Sequence, residues 1–151
     1  MSAAQALFQA PLVTVKGDDM ASLYVRQTVR TWLQDPTMSV PFYNTTNEEQ
    51  SPNDAIWSTI DFSYADREIM TFCGGDVSEE GEFEVVYLGQ PGIGDVALLT
   101  AAEADIKTLM AQRDPTNKLI LTSRSAPDEF TQGDAQLEYG VSFFVNYTYY
   151  E

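Results

Sequence analysis

Paired carboxylates are the residues of this sequence whose types and spacing could support catalysis. Those in polar, loop-like segments are Glu48–Glu49, Glu79–Glu80 and Asp128–Glu129, and Asp76 lies just before the second of these pairs. A carboxylate-dependent hydrolase needs one acid in an apolar pocket that raises its pKa. All three pairs lie in polar segments typical of loops, where both acids stay solvated. A hydrolase with a site at Asp76, Glu79 and Glu80 is therefore only a secondary alternative.

Other features that are common in catalytic, metal and cofactor sites are missing from the sequence. The sequence has no histidine, which removes the commonest general base and the commonest zinc ligand. Cys73 has no second thiol for a disulfide or a thiolate metal site, and we expect it to be a buried small apolar residue. Residues 92–95 resemble half of a dinucleotide-binding loop, but Ala97 occupies the third glycine position. We expect a strand-to-helix turn capped by Asp95, and the sequence predicts no catalytic residue, no cofactor and no metal site.

The charge of the chain is strongly negative: 23 acidic and 8 basic residues give a net charge of −15. The basic residues are scattered along the sequence, whereas binding to a phosphate backbone needs clustered lysine and arginine. An acidic surface favours solubility, and it would also let DNA pass without specific binding. The N-terminus lacks the pattern of a secretory signal, and no apolar run approaches the roughly 18 residues of a membrane helix. We therefore expect an intracellular protein with no membrane partner.

Two segments have the apolar periodicity of helices. The first begins at the expected N-cap Asp18 and continues to Leu33, and the Asp-Pro at 35–36 ends it. The second spans about residues 95–112. Its predicted apolar side consists of Val96, Leu99, Ala102, Ile106, Leu109 and Met110, and its predicted polar side includes Glu103, Asp105 and Lys107.

Strand composition or alternation predicts β-strands over residues 56–62, 68–72, 81–88, 118–122 and 136–149. Residues 39–54 and 123–134 are rich in turn-forming residues and predict long loops. This order of elements leaves no room for repeated parallel crossovers. The sequence therefore predicts an α+β fold, with a mainly antiparallel β-sheet and two principal α-helices packed on one face. Residues 18–151 form this single domain, and residues 1–17 are an N-terminal arm that we leave unassigned.

The last predicted strand carries aromatic side chains on both of its faces. One face can serve the core of the domain, and the other would be exposed in a monomer. Interfaces between subunits are enriched in such residues. The candidate oligomer interface is Phe144, Tyr147, Tyr149 and Tyr150. The alternative, that a helix of the same chain covers the second face, stays open.

The layout of the chain resembles a known family. A helix is followed by Val-Pro-Phe-Tyr-Asn at 40–44, by a strand ending in Asp61–Phe62, and by a strand with Glu-Phe-Glu-Val-Val-Tyr at 82–87. A Gly-rich turn, a helix with Ala-Ala-Glu-Ala-Asp at 101–105 and a long aromatic terminal strand complete it. This is similar to the tail terminator proteins of long-tailed bacteriophages (siphophages) over about residues 18–150.

The resemblance implies an α+β fold, a tail-terminator-like domain that forms a hexameric ring, and a place at the head–tail junction of the virion after assembly in the host cytoplasm. Such a ring caps the tail tube, ends its polymerisation and provides the surface to which the head attaches. Its partners are the tail tube protein and the neck proteins, and DNA passes through its centre without specific binding. No enzymatic activity is implied.

Two acidic segments, predicted as loops over residues 47–50 and 76–82, are candidates for the lumen of the ring or for docking to tube or neck proteins. Their acids are Glu48, Glu49, Asp76, Glu79, Glu80 and Glu82. Plain solvated loops are the alternative for each. Three other functions stay open: another neck or minor tail protein such as a head–tail connector or stopper, the small hydrolase, and a binding module unrelated to phages.

Overall fold

The computed structural model describes residues 14–15, 21–43, 55–69, 77–90, 92–132 and 138–151. In chain order the elements are β1 (Thr14–Val15), α1 (Leu23–Leu33), β2 (Ile56–Ile69), β3 (Val77–Gly89), α2 (Asp95–Met110), β4 (Leu119–Arg124), β5 (Asp128–Gln132) and β6 (Glu138–Tyr150). Each predicted helix and strand overlaps one of these elements. Several ends and connections differ from the prediction.

The strands form one antiparallel sheet in the order β1–β2–β3–β6–β4, and β5 also pairs with β6. Strand β6 is long enough to pair with β4 through residues 145–149 and with β5 through residues 138–142. Strand β1, from the unassigned N-terminal arm, pairs with Arg67 and Glu68 at the far end of β2. The antiparallel sheet with its two helices confirms the predicted α+β fold.

Both helices cover the same face of the sheet, because alternate strand residues present a continuous apolar surface there. Strand β3 contributes Phe83, Val85 and Tyr87, and β6 contributes alternate residues from Val141 to Tyr149. Full burial of one large apolar side chain stabilises the fold by about 1.5–3 kcal/mol. The helix residues that complete this core are Val25, Val29, Trp32, Leu33, Leu98, Ala102, Ile106 and Leu109. We call this side of the sheet the covered face and the other side the open face.

Helix α1 begins later than its sequence pattern predicts. Its N-cap is Ser22, whose hydroxyl accepts a hydrogen bond from the backbone N–H of Val25. The predicted cap, Asp18, lies outside the described residues. The helix ends at Leu33, just before the predicted Asp-Pro stop.

The buried side of helix α2 agrees with the prediction at Ala102, Ile106 and Leu109, but it differs at other positions. Val96 is 72% exposed, and Leu98 is buried in its place. Asp105, predicted on the polar side, is also buried. The predicted turn before this helix is confirmed, but Gly94 is the N-cap and Asp95 is the first helical residue. Gly94 has a φ of +86°, a left-handed conformation that favours glycine at this position.

The strands differ from the prediction in three places. The strands predicted over residues 56–62 and 68–72 are, as far as residue 69, one strand, β2, with a bulge between Phe62 and Tyr64. A bulge shifts the alternation of side chains by one residue, so the sequence pattern is interrupted although the pairing continues. Strand β3 begins at Val77, inside the predicted acidic loop. Strand β5 lies inside the loop predicted over residues 123–134.

Candidate interaction surface

Glu79 of β3 has a buried carboxylate that lies next to the N-terminus of α1. It is 1% exposed and lies on the covered face of β3. Arg67 Nε donates to its Oε1 at 2.8 Å, while the Tyr147 hydroxyl at 2.7 Å and the Ser22 backbone N–H at 3.3 Å donate to its Oε2. Burial, and then the hydrogen bond to Glu79, raises the pKa of Tyr147, so its hydroxyl remains a donor. The prediction of Glu79 as a solvated loop residue was wrong, because these donors from β2, β6 and α1 replace water.

Asp114, just after α2, holds the first turn of α1 in a similar way. Tyr24 of α1 donates its hydroxyl to Asp114 Oδ2 at 2.8 Å, and its ring stacks on Tyr149 with centroids 5.2 Å apart. The backbone N–H groups of Thr116 and Leu119, each at 3.0 Å, also donate to this carboxylate. Burial opposes the ionisation of Asp114, but the hydrogen bonds outweigh it and lower the pKa to about 2. Asp114 therefore stays ionised in the folded protein.

Asp105 of α2 fixes the chain that leaves α1. Its Oδ1 accepts hydrogen bonds from the Ser39 backbone N–H at 2.9 Å and from the Ser39 hydroxyl at 2.7 Å. Its Oδ2 accepts one from the Val40 backbone N–H at 2.9 Å. The loop needs this acceptor because buried backbone N–H groups that lose water must find another partner. Glu79, Asp114 and Asp105 are thus structural acceptors that hold α1 and its following loop on the covered face.

The carboxylate pairs considered for a hydrolase are not brought together. Glu79 and Glu80 are neighbours in β3, so their side chains lie on opposite faces of the sheet, Glu79 buried and Glu80 exposed. Asp128 and Glu129 are neighbours in β5 and are separated in the same way. Two acids on opposite faces cannot act on one substrate. The third pair, Glu48–Glu49, and Asp76 lie outside the described residues.

The aromatic residues of β6 divide between the two faces. Tyr147 and Tyr149 belong to the core on the covered face, so their prediction as interface residues was wrong. Their even spacing from Phe143 places them on its face of the strand. Phe144 and Tyr150 lie on the open face, where Phe144 is half-buried and Tyr150 is 45% exposed. Two of the four candidate interface residues therefore remain available for contact with a partner.

The open face carries acidic residues directly opposite one another. Asp61 of β2 is paired in register with Glu84 of β3, and Asp66 is paired with Glu80. Glu82 lies between these two rows on β3. Like charges in directly opposed positions destabilise a sheet by several tenths of a kcal/mol per pair, roughly 0.2–1 kcal/mol. Glu80 and Glu82, predicted on a loop, therefore belong to an acidic strand surface, and no described helix covers it.

The other end of the open face is apolar. Trp57, Leu88, Gly140 and Phe130 lie in one row across β2, β3, β6 and β5. Trp57 is buried, and the Phe130 ring lies so close over Gly140 that a Cβ atom there would be 2.3 Å from the ring. Gly140 is therefore required by the aromatic ring on the neighbouring strand. The open face thus changes from apolar to acidic along the strands.

Two shallow clefts lie at the acidic end of the open face. One, of about 160 Å³, is lined by Asp66, Arg67, Glu68, Ser78 and Glu80. The other, of about 430 Å³, includes Glu80, Thr122, Asn146 and Thr148. Neither surrounds a carboxyl group with apolar side chains, which is the environment that a carboxylate hydrolase needs. Within the described ranges, no three His, Cys, Asp or Glu side chains converge as a metal site. In the same ranges no helix is both long and apolar enough to cross a membrane.

No family model and no curated protein matches this sequence. The functional interpretation therefore rests on the fold and on the open face. Cys73, predicted to be buried, lies outside the described residues and has no part in it.

Proposed function

We propose that the protein is a structural component of a phage virion. Acting as a ring of identical subunits, it caps the tail tube, ends tube polymerisation and provides the surface for head attachment. The resemblance of the element order to tail terminators motivates this proposal. The acidic open face of the sheet is the observation that carries it, since the fold of one subunit does not need this surface.

The electrostatic cost of the open face supports a role in assembly. Asp61 opposite Glu84 costs roughly 0.2–1 kcal/mol, by the usual value for opposed like charges. Domains of this size are stable by only about 5–15 kcal/mol. Function and stability are commonly in conflict at the same residues, so a destabilising surface is expected where that surface has a function.

The acidic surface also fits a ring through which DNA passes. A wall of carboxylates repels phosphates, so the DNA would not adhere to it. Glu80 and Glu82 are the described residues that we assign to such a wall or to docking of the tube and neck proteins. Glu48, Glu49 and Asp76 keep the same proposed role from the sequence. Phe144 and Tyr150 would then contact a neighbouring subunit.

The experiment is assembly of tails in the presence and absence of the protein. Purified tube protein that polymerises on its scaffold should stop at a defined length when the chain is added, and electron microscopy should reveal a ring at the tube end. Tubes of unlimited length, with the chain strictly monomeric and never at a tube end, would contradict the proposal. Particles made without the chain distinguish the neighbouring role: overlong or headless tails indicate termination, whereas full heads that leak DNA indicate a neck stopper.

A further inference from the structure

Helix α1 carries a mixed apolar and cationic stripe beside its buried side. Leu23, Arg26, Gln27 and Arg30 follow one another at helical spacing, so their side chains share one side of the helix. Leu23 is 68% exposed, although it is a large apolar residue. Arg26 and Arg30 are four residues apart, which is about one turn of α1. Like charges at this spacing repel each other.

The two arginines share one aromatic ring. The guanidinium carbon of Arg26 lies 4.9 Å from the centroid of Phe62, and that of Arg30 lies 5.6 Å from it. This contact orients both side chains and removes part of their hydration. Burial, and then the neighbouring Arg26, lowers the pKa of Arg30. Two partly desolvated cations are thus held side by side.

Neither arginine has a carboxylate partner among the described residues. Arg26 Nε donates to the Ala21 carbonyl at 2.9 Å, but Arg26 Nη2 and Arg30 Nε are buried and lack any hydrogen-bond partner in this part of the chain. Unsatisfied buried donors of this kind cost about 1–3 kcal/mol each. In a chain with a net charge of −15, two unpaired arginines in one place indicate a site for an anionic partner.

We propose that this partner is a second copy of the chain, and that Arg26 and Arg30 of one subunit bind Asp61 and Glu84 on the open face of the next. The inference rests on the proposed ring. The spacing fits: residues four apart on a helix are about 5–6 Å apart, and residues directly opposite on antiparallel strands are about 4.5–5.5 Å apart. Neither Asp61 nor Glu84 has an ion-pair partner among the described residues.

The apolar residue beside the two acids and the apolar residue beside the two arginines are also placed to meet each other. Phe144 is directly opposite Glu84 on β6, half-buried on the open face. Leu23 precedes Arg26 on the same side of α1 and would contact an apolar surface of this kind. Desolvation by these two side chains strengthens the ion pairs, which would be weak if fully exposed to water.

The position of the two surfaces determines the type of assembly. Helix α1 packs on the covered face, whereas Asp61 and Glu84 lie on the open face of the same sheet. A subunit therefore uses different surfaces towards its two neighbours, which is a heterologous contact. Such contacts continue from copy to copy and close into a ring when the rotation allows it. In a two-fold dimer, helix α1 of each subunit would have to contact the open face of the other subunit at the same time.

The experiment is charge exchange in the full-length protein, with the oligomeric state measured by light scattering and native mass spectrometry. Arg30→Glu and Asp61→Arg, made separately, should each weaken assembly at least tenfold. The double variant Arg30→Glu/Asp61→Arg should recover most of the loss, because the pair is restored with exchanged signs. Lys107→Glu, with the same change of charge as Arg30→Glu on the exposed side of α2, is the matched control and should assemble like the wild type.

Circular dichroism and the unfolding midpoint of each variant establish that it folds. Rings that form with wild-type affinity in both single variants would overturn the inference and leave the proposed function intact. Loss in the single variants without recovery in the double variant would also overturn it. A wild-type chain that stays monomeric, both alone and with tube ends, would refute the inference and the proposed function together.

Discussion

Replacement of Glu79 by alanine should destabilise the fold more than any other removal of an acidic side chain from β3. Removing one partner of a buried ion pair costs about 3–5 kcal/mol, and the Tyr147 hydroxyl would be left unsatisfied. The side chain of Arg67 is 35% exposed and can turn towards water, which reduces the cost. We therefore expect a loss of about 3 kcal/mol in the free energy of unfolding, near the lower end of that range.

Two variants separate the contributions to this loss. Glu79→Gln keeps an acceptor for Tyr147 and removes the charge opposite Arg67, so we expect a smaller loss of about 1–2 kcal/mol. Tyr147→Phe removes one hydrogen bond and keeps the ion pair at 2.8 Å, so its loss should also be about 1–2 kcal/mol. Glu80→Ala is the matched control, since this neighbouring acid is exposed on the open face. Its effect should be within about 0.5 kcal/mol.

The assay is equilibrium unfolding in urea, with the free energy taken from the midpoint and slope of each transition. Measurements at two protein concentrations are needed, because assembly of the folded chain adds a concentration-dependent stabilisation. Equal losses for Glu79→Ala and Glu80→Ala would refute the reasoning. That result would mean that the buried carboxylate does not join α1 to the sheet.

Three further predictions concern other buried groups. The Tyr87 hydroxyl is buried without a partner among the described residues, so Tyr87→Phe should be neutral or stabilising by up to about 1 kcal/mol; a clear loss would mean that a bound water satisfies it. Gly140→Ala should cost about 1–3 kcal/mol through the clash with Phe130, and Phe130→Ala should remove that cost in a double-mutant cycle; additive losses would contradict the clash. The Asp114 pKa of about 2 is below its unfolded value, so its contribution is present above about pH 4 and is lost as the pH falls towards 2. The wild type should therefore lose about 1–2 kcal/mol more than Asp114→Asn over this range, discounted for water near the carboxylate, and parallel pH profiles would exclude the effect.

The sequence predicted the sheet and its helices because their side chains alternate with simple periods. In β3 the period of two from Phe83 to Tyr87 is the observed pattern of burial, and the same period holds through β6. That pattern also contained the signal that separates Phe144 and Tyr150 from Tyr147 and Tyr149. Counting the aromatic residues of the segment together concealed it. The open-face pair could therefore have been selected from the sequence alone.

The buried acids could not be predicted in the same way. Glu79 accepts hydrogen bonds from residues 57 and 68 positions away in the chain, and Asp105 accepts one from Val40, 65 positions away. No local composition distinguishes such an acid from a solvated one, because its donors come from distant elements. The bulge in β2 has a related effect, since it changes the alternation while the long-range pairing persists. Local patterns predict faces, whereas the long-range partners of polar groups depend on the complete fold.

The distribution of charge gives the strongest physical reason to expect a partner on the open face. Among the described residues three acids are buried, and each has donors that satisfy it, so the fold uses them. Asp61 and Glu84, opposed on the open face, have no comparable role among the described contacts, and their repulsion favours any contact that brings cations to them. Helix α1 carries two cations, each with a buried nitrogen atom that lacks an acceptor in the part of the chain that the structure describes. When the two surfaces meet, the repulsion between the acids and the cost of the unsatisfied arginine donors are both reduced. The surfaces cannot meet within one chain, because the sheet lies between them. Contact between subunits removes both costs at once, which is why the charge pattern favours assembly over a solitary domain.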